Sequence, residues 1–336
     1  MKALYEFSHK DKSRFEKILS KNTINPYTQY QSFKDYISTF ISAGSVPQSL
    51  VLACRKIVEE RTHSGTHVHI LKNCPIDSEL PELDLDNPVR HKYEAKKTFI
   101  GEGFLEIMSQ LQGTPLFSYQ KRNNGDYFTD LVSFNKFREK KTGFTDGDLI
   151  YHSDRSYHTV RADYVSLLGL RVNESELIYT NYIDVKDLKE HLDSQTINLL
   201  SQEIYLTDVD DLSRENNQYW ESSTRHAIFI DDDKIRYQDT FTRSENPDDI
   251  ESIRALLKLK NAMSKAKKLR HQVKKGELFI LGNQTGIHNR EWIDVINAEE
   301  GRKRWLLKTY SFSNEKKLKG YSEWATPNDA SCIMDK

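Results

Sequence analysis

The chain has 336 residues, 37% of them apolar and 29% charged, and its formal net charge of −1 gives no basic surface bias to recruit nucleic acid. No apolar run reaches the roughly 18 residues a membrane helix needs, and Met1 to Glu6 lacks the apolar core of a signal peptide. Three scattered cysteines, Cys54, Cys74 and Cys332, suit neither a disulfide framework nor a zinc site, so the expectation is a reducing, cytoplasmic protein without a membrane or nucleic-acid partner.

Residues 9–61 read as three helices. Phe15, Ile18 and Leu19 give the first apolar face, and Phe33, Tyr36, Ile37 and Phe40 the second. Pro47 opens the third, with Leu50, Val51, Cys54 and Ile57 at helical spacing. His63, His67 and His69 follow closely, but Val68 and Ile70 alternate as in a strand and no carboxylate falls at a matching spacing, so a structural strand is the better reading than a metal site. The acidic stretch from Pro81 to Pro88 reads as loop. Lys97 to Leu111 reads as a helix, and Leu116 to Gln120 is extended. Residues 121–147 are polar and loop-like apart from Tyr127 to Phe134.

Leu149 to His158 is the stretch on which the chemistry turns. A β-prone approach ends in His152-Ser153-Asp154. In an extended strand, residues two apart point to one side, so an imidazole and a carboxylate can aim at one point. A two-histidine, one-carboxylate site for non-haem Fe(II) needs this pair and one distant histidine.

Asp163 to Val172 reads as a central strand, turned by Asn173 to Ser175, with Glu176 to Thr180 returning. Val185 to Leu200 reads as one helix. Thr207 to Ser222 is acidic and polar. His226 to Ile230 and Ile235 to Thr240 read as a hairpin about the turn Asp231 to Lys234. Pro247 starts a long amphipathic helix with Ile250, Ile253, Leu256, Leu257 and Met263 on its buried face. The basic residues from Lys265 to Lys275 lack interleaved aromatics for base stacking, which favours a solvated face.

Lys275 to Asn283 reads as a turn feeding a buried strand, and His288 follows it. Arg304 opens another apolar, aromatic strand, where a guanidinium can clamp a carboxylate at two points. From Tyr321 to Lys336 the expectation is loop or disorder. Periodicity alone gives one β-rich α+β domain.

Four stretches, YHSDRSYH, DYVSLLGLR, GELFILGNQTGIHNR and RKRWLLKTYSF, cover Tyr151 to Phe312 in order. In them the chain resembles the Fe(II)/2-oxoglutarate-dependent oxygenases. Within these it looks most like the clavaminate synthase-like group, which includes arginine and lysine hydroxylases. The resemblance implies a double-stranded β-helix (jelly-roll) core with flanking helices. The domain would span 1–336, with a helical flank at 1–61, the core with helical insertions at 62–312, and a polar tail at 313–336.

It further implies Fe(II) on His152, Asp154 and His288, with 2-oxoglutarate as co-substrate beside O2. The far carboxylate of 2-oxoglutarate would meet Arg304, and Thr180 would bind the same molecule through its hydroxyl. A substrate lid would lie in 121–147. Asp154 favours hydroxylation, since related halogenases lack that carboxylate; desaturation and ring closure remain open.

For the substrate the resemblance implies contacts from Gln120, Asp239 and Lys308. Lys308 stands four residues after Arg304, where the arginine hydroxylases carry an Arg for the α-carboxylate, and it departs from that pattern. Asp239 matches a region that holds a cationic side chain, although it could also merely close a turn. The reading is a free basic amino acid, lysine before arginine. A carrier-tethered substrate, a binding module with a vestigial iron site, and a nucleic-acid-associated oxygenase remain as alternatives.

Overall fold

The apolar faces of the first 61 residues form three helices: α1 (His9–Leu19), α2 (Tyr30–Ser42) and α3 (Gln48–Glu59). The structure is a computed structural model and describes residues 2–138, 147–210, 213–214, 221–294 and 296–335. Ser8 caps α1 by accepting the Asp11 N–H at 3.0 Å. The helices bury Phe15, Phe33, Ile37, Leu50 and Ile57 against α5 (Ile100–Gln112). That helix begins three residues later than the sequence suggests. Asp77, from a distant loop, accepts the Ile100 and Gly101 N–H groups and so sets the first turn. A further helix, α4 (Pro88–Ala95), was not read from the sequence; its Pro88 occupies the first turn.

The strands, numbered in chain order, form two main sheets. The larger contains β1 (Tyr5–Glu6), β2 (Val68–Lys72), β3 (Leu116–Tyr119), β4 (Thr129–Leu131), β6 (Tyr164–Arg171), β11 (Leu278–Gly282), β13 (Trp305–Ser311), β14 (Ala325–Thr326) and β15 (Asp329–Ile333). The smaller runs in the order β10 (Leu269–His271), β7 (Leu177–Asp184), β12 (Gly286–Asp294) and β5 (Leu149–His152). A small ribbon joins β8 (Tyr205–Thr207) to β9 (Thr242–Ser244).

Period two sorts the large sheet. Leu168, Leu170, Leu278, Ile280 and Leu307 face the helices, while Val165, Leu167, Phe279, Leu281 and Leu306 face inward. The outer side of the small sheet, with Ile183 and Ile287, is covered by α6 (Val185–Lys189), α7 (Ser194–Leu200), α8 (Ile250–Lys265) and nearby loops. The inner faces of the two sheets leave a cavity between them.

Several expectations are corrected. The strand after Asn173 to Ser175 does not pair back onto β6; it crosses to the small sheet, because β6 already has β11 and β13 as neighbours. The segment 185–200 is two helices, since Asp193 accepts the Thr196 N–H and starts a new one. The hairpin of 226–240 reduces to isolated bridges such as Phe229 with Ile235. In α8 the buried residues are Ala255, Leu256, Leu259, Ala262 and Met263, whereas Ile250 and Leu257 are exposed. The tail is ordered: β15 pairs in parallel with β3, and Asp335 holds Arg155 at 3.0 Å. The expected lid falls partly on 139–146, outside the described residues.

The histidines at 63–69 do not converge. His63 meets its own helix at the Glu59 carbonyl, while His69 meets Glu60. In the basic stretch, Arg270 pairs with Glu291 and Lys274 with Glu174. No helix among the described residues is long and apolar enough to cross a membrane.

Two buried histidines are committed to the neutral form. His158 accepts the Val160 N–H on Nδ1 and donates from Nε2 to the Met334 carbonyl. His226 lies between Thr207 Oγ1 and the Ala227 carbonyl. Burial lowers them to about 4 and about 3, below the 6.5 of an exposed histidine. Between those limits only the unfolded chain takes the protons. Stability should therefore fall as pH drops from 6.5 toward 3, by about 1.4 kcal/mol per pH unit for each histidine. Urea unfolding across that range checks it; replacing His226 by Gln should flatten the slope.

Candidate active site

His152 ends β5 and His288 sits on β12, and the register makes them direct cross-strand partners. Their ring centroids are 4.3 Å apart. Asp154 lies past the end of β5, in a turn, so the strand periodicity that pointed to it does not position it. Asn283 does. Its Oδ1 accepts the Asp154 N–H at 2.6 Å, and its Nδ2 donates to the Asp154 carbonyl at 3.2 Å and to the Ala162 carbonyl at 3.1 Å. Arg155, next in line, adopts φ 59, which bends the chain back.

The three ligand atoms, one from each of His152, Asp154 and His288, lie within 4.8 Å of one another, and all three residues are buried. His152 Nδ1 donates to the Ile150 carbonyl at 2.8 Å, which leaves the Nε2 lone pair facing Asp154 Oδ1 at 3.1 Å. His288 Nε2 is 3.8 Å from the same oxygen. Cis ligands bound at about 2.1 Å lie about 3 Å apart, so this donor set fits one metal ion.

Burial alone would raise the Asp154 carboxyl. The Lys308 ammonium, 2.9 Å from Oδ2, is foremost in holding it well below the usual carboxylate range. Asp154 is thus ionised, with one oxygen turned to Lys308 and the other to the histidines. Burial and the neighbouring imidazole lower His288 to about 3, so it offers a lone pair at neutral pH.

Arg304, directly before β13, and Leu306, Lys308 and Tyr310 on it line the cavity at every second residue. Trp305 points the other way and donates its indole N–H to Asp130 at 2.8 Å. Asp130 also pairs at 2.6 Å with Lys92, which is fully buried. Helix α4 therefore grips β13 beside Arg304. Burial and the adjacent Arg290 lower the Arg304 guanidinium to about 9. No carboxylate among the described residues pairs with Arg304. Two neighbouring guanidinium groups at a cavity wall form a site for an anion. Thr180 is buried and also lines the cavity.

Of the eight residues expected at the site, six meet there: His152, Asp154, Thr180, His288, Arg304 and Lys308. Gln120 does not; it is exposed just past β3, with its backbone tied to Ile333. Asp239 does not either; its carboxylate is 2.7 Å from Lys260 on α8 and accepts the Tyr237 hydroxyl. Sequence reasoning missed Asn283, Arg290, Arg122 and Gln238. Asn283 and Arg290 flank His288 within the stretch already singled out, so proximity to a ligand strand was the available signal.

No protein-family model matches the chain, and no curated protein sequence does. Solved structures match over nearly its whole length. An asparagine oxygenase in complex with Fe(II), 2S,3S-3-hydroxyasparagine and succinate superposes with a TM-score of 0.79 at 18% identity, covering 99% of each chain. The non-heme iron oxygenase OrfP in complex with Fe, succinate and (3S)-hydroxy-L-Arg gives 0.78 at 16%, covering 98% of this chain and 99% of that one. OrfP with Fe and alpha-ketoglutaric acid gives 0.74 at 15%, with the same coverage. The chain shares their fold.

Replacing Asn283 by Ala removes the clamp on Asp154 and leaves buried backbone groups unpaired. The expected cost is about 2–4 kcal/mol of stability, with a loss of about 10–100-fold in affinity for a divalent metal. Chemical denaturation and anaerobic metal titration measure the two effects separately.

Proposed function

We propose that the chain is an Fe(II)- and 2-oxoglutarate-dependent hydroxylase of a free amino acid, built on a double-stranded β-helix core. The observation that carries this reading is the pair of facing lone pairs on His152 Nε2 and Asp154 Oδ1, with His288 completing one face. His152, Asp154 and His288 would hold the metal. Arg304, with Arg290 beside it, would hold the far carboxylate of 2-oxoglutarate, and Thr180 lies close enough along the wall to add a hydroxyl. The shared fold with oxygenases whose complexes contain Fe, succinate or alpha-ketoglutaric acid supports the same reading.

When bound, iron and 2-oxoglutarate would supply, with O2, oxidative decarboxylation to succinate and CO2, one oxygen atom of O2 entering succinate and the other a substrate C–H bond. The protein's own part is positioning and charge. The Ile150 carbonyl fixes the His152 tautomer, which directs the Nε2 lone pair inward. Lys308 holds Asp154 Oδ2, which leaves Oδ1 as the single oxygen turned to the metal position. Leu167 and Leu306 cover part of the wall and limit water.

The finer reading, a basic amino acid with lysine foremost, relied on Asp239. With that carboxylate on Lys260, the acid at the cavity wall besides Asp154, among the described residues, is Asp210. Both its oxygens already accept from Ser213, through the N–H and the hydroxyl. A lysine substrate would share Asp210 with Ser213, since each carboxylate oxygen can accept a second hydrogen bond.

Purified protein with Fe(II), 2-oxoglutarate and O2 should form succinate in an amino-acid-dependent way, with a one-oxygen mass gain in the product. Asp154→Ala should abolish it. Arg304→Gln should raise KM for 2-oxoglutarate about 10–100-fold, as expected for the loss of one charged hydrogen bond. Failure of the wild-type protein to bind Fe(II) would overturn the proposal.

A further inference from the structure

We propose that Arg161 and Arg236 form a buried site for a small inorganic anion, behind the turn that carries Asp154, and that the anion steadies that turn. The site is separate from the proposed iron and 2-oxoglutarate positions and does not rest on the hydroxylase reading.

Arg161 is 8% exposed and Arg236 7%. The Arg161 guanidinium makes no hydrogen bond or ion pair with any described residue, and its Nε and Nη1 are fully buried without a partner. Two other arginines with an unpaired buried Nε are held by different contacts. Arg61 donates to Gln112 and lies over the Tyr164 ring, and Arg302 donates to Asn135. Arg161 has no such contact. A guanidinium out of water and without an acceptor is costly unless a ligand pairs with it.

The backbone brings Arg236 beside it. The Gln284 side-chain amide donates to the Arg161 carbonyl at 3.1 Å and to the Ala162 carbonyl at 3.2 Å, while the Gln284 carbonyl accepts the Ile235 N–H at 2.7 Å. Arg236 donates from Nε to the Ser156 carbonyl at 2.6 Å and from Nη2 to the Tyr157 carbonyl at 3.1 Å. Those carbonyls hold the guanidinium without cancelling its charge. Burial first, and the charge of Arg161 next, lower Arg236 to about 9.

No described carboxylate pairs with either group. Asp163 is near enough to attract Arg161, but its oxygens already take Lys317 at 2.5 Å, the Ser313 N–H at 2.8 Å and the Gln284 amide at 3.0 Å. Tyr119, also near, donates its hydroxyl to the Val160 carbonyl at 2.9 Å. His226, which feels both guanidinium charges, is neutral and engaged on both ring nitrogens. Two adjacent guanidinium groups with no acid between them have the chemistry of an anion site, because arginine is weakly hydrated and presents several planar donors. Burial beyond nine-tenths favours a small inorganic anion over an organic one.

The site adjoins the proposed metal ligand. Arg236 holds the Ser156 and Tyr157 carbonyls, just past Asp154, and the Ser156 hydroxyl donates to the Tyr237 carbonyl at 3.0 Å. Gln284 follows Asn283, whose amide clamps Asp154. An anion between the two arginines would remove a repulsion directly behind that turn.

The test is thermal unfolding of the whole chain in sodium gluconate, whose anion is too large for so buried a site, against chloride, sulfate and phosphate at equal ionic strength. At least one of the three should raise Tm saturably, by at least about 2 °C. A rise with chloride alone would mark a halide-sized site, and a rise with sulfate or phosphate an oxyanion site. Arg161→Met and Arg161→Gln should abolish the response. In gluconate both variants should unfold no lower than the wild type, because each removes a buried charge that nothing pairs; in the stabilising anion the order should reverse. A purely structural arginine would instead leave the variants less stable by the same margin in every salt, and that result would overturn the proposal. So would equal wild-type Tm in all four salts, or a response that both variants keep in full.

Discussion

The pairing of β5 with β12 is the constraint on which the rest of the site depends. It sets His152 opposite His288, and the turn beyond β5 brings Asp154 to the same point. In a dry cavity, lone pairs held face to face repel one another unless a cation lies between them. The fold tolerates the arrangement because Lys308 neutralises the other oxygen of Asp154 and burial keeps the His288 imidazole uncharged. A metal-binding face is thereby maintained by hydrogen bonds and one ion pair, all within a few ångströms.

Rigidity around that face comes from both sides of the large sheet. On the cavity side, β13 and the residue directly before it deliver Lys308 and Arg304 by simple alternation. On the far side, Trp305 hangs from Asp130, which is tied to the fully buried Lys92. The Lys92 ammonium also pairs with Asp126 and stands over the Tyr27 ring at 3.6 Å. Nearby, Lys96 is buried between Asp77 and Glu102. Buried pairs of this kind add little net stability over apolar packing. They do fix the relative placement of α4, α5 and β13, and so the strand that presents two of the cavity's cations. The tail adds a further tie, because Asp335 holds Arg155 directly beside Asp154.

The contrast between adjacent residues shows how far local pattern reaches. Lys308 was legible because β13 is a strand, and period two carries back to Arg304, the residue directly before it. His288 was legible because it follows a long apolar run that had to be a strand. Asp154 was named for a reason that does not hold in detail: it is beyond the strand, and Asn283, from 129 residues away, brings it into place. Asp239 and Gln238 show the opposite case. In a turn no period applies, and the left-handed Thr240 together with Lys260 turned the carboxylate out and the amide in. Gln120 failed for a related reason, lying one residue past the end of β3.

By itself the sequence determined the helical flank, the central strands, the residue types of the proposed metal site and the cation of the proposed 2-oxoglutarate site, because these follow from periodicity and from chemistry that few side chains can perform. Tertiary structure alone decided which sheet each strand joined, that the last residues form strands rather than a loose tail, and which polar residues face the cavity. Those outcomes depend on partners far apart in the chain: Asp77 on α5, Asn283 on Asp154, Lys260 on Asp239, Asp335 on Arg155. Such contacts leave no local pattern, since each residue alone is an ordinary polar group in a loop or at the end of an element. Only the folded chain brings their charges and hydrogen-bonding atoms within reach.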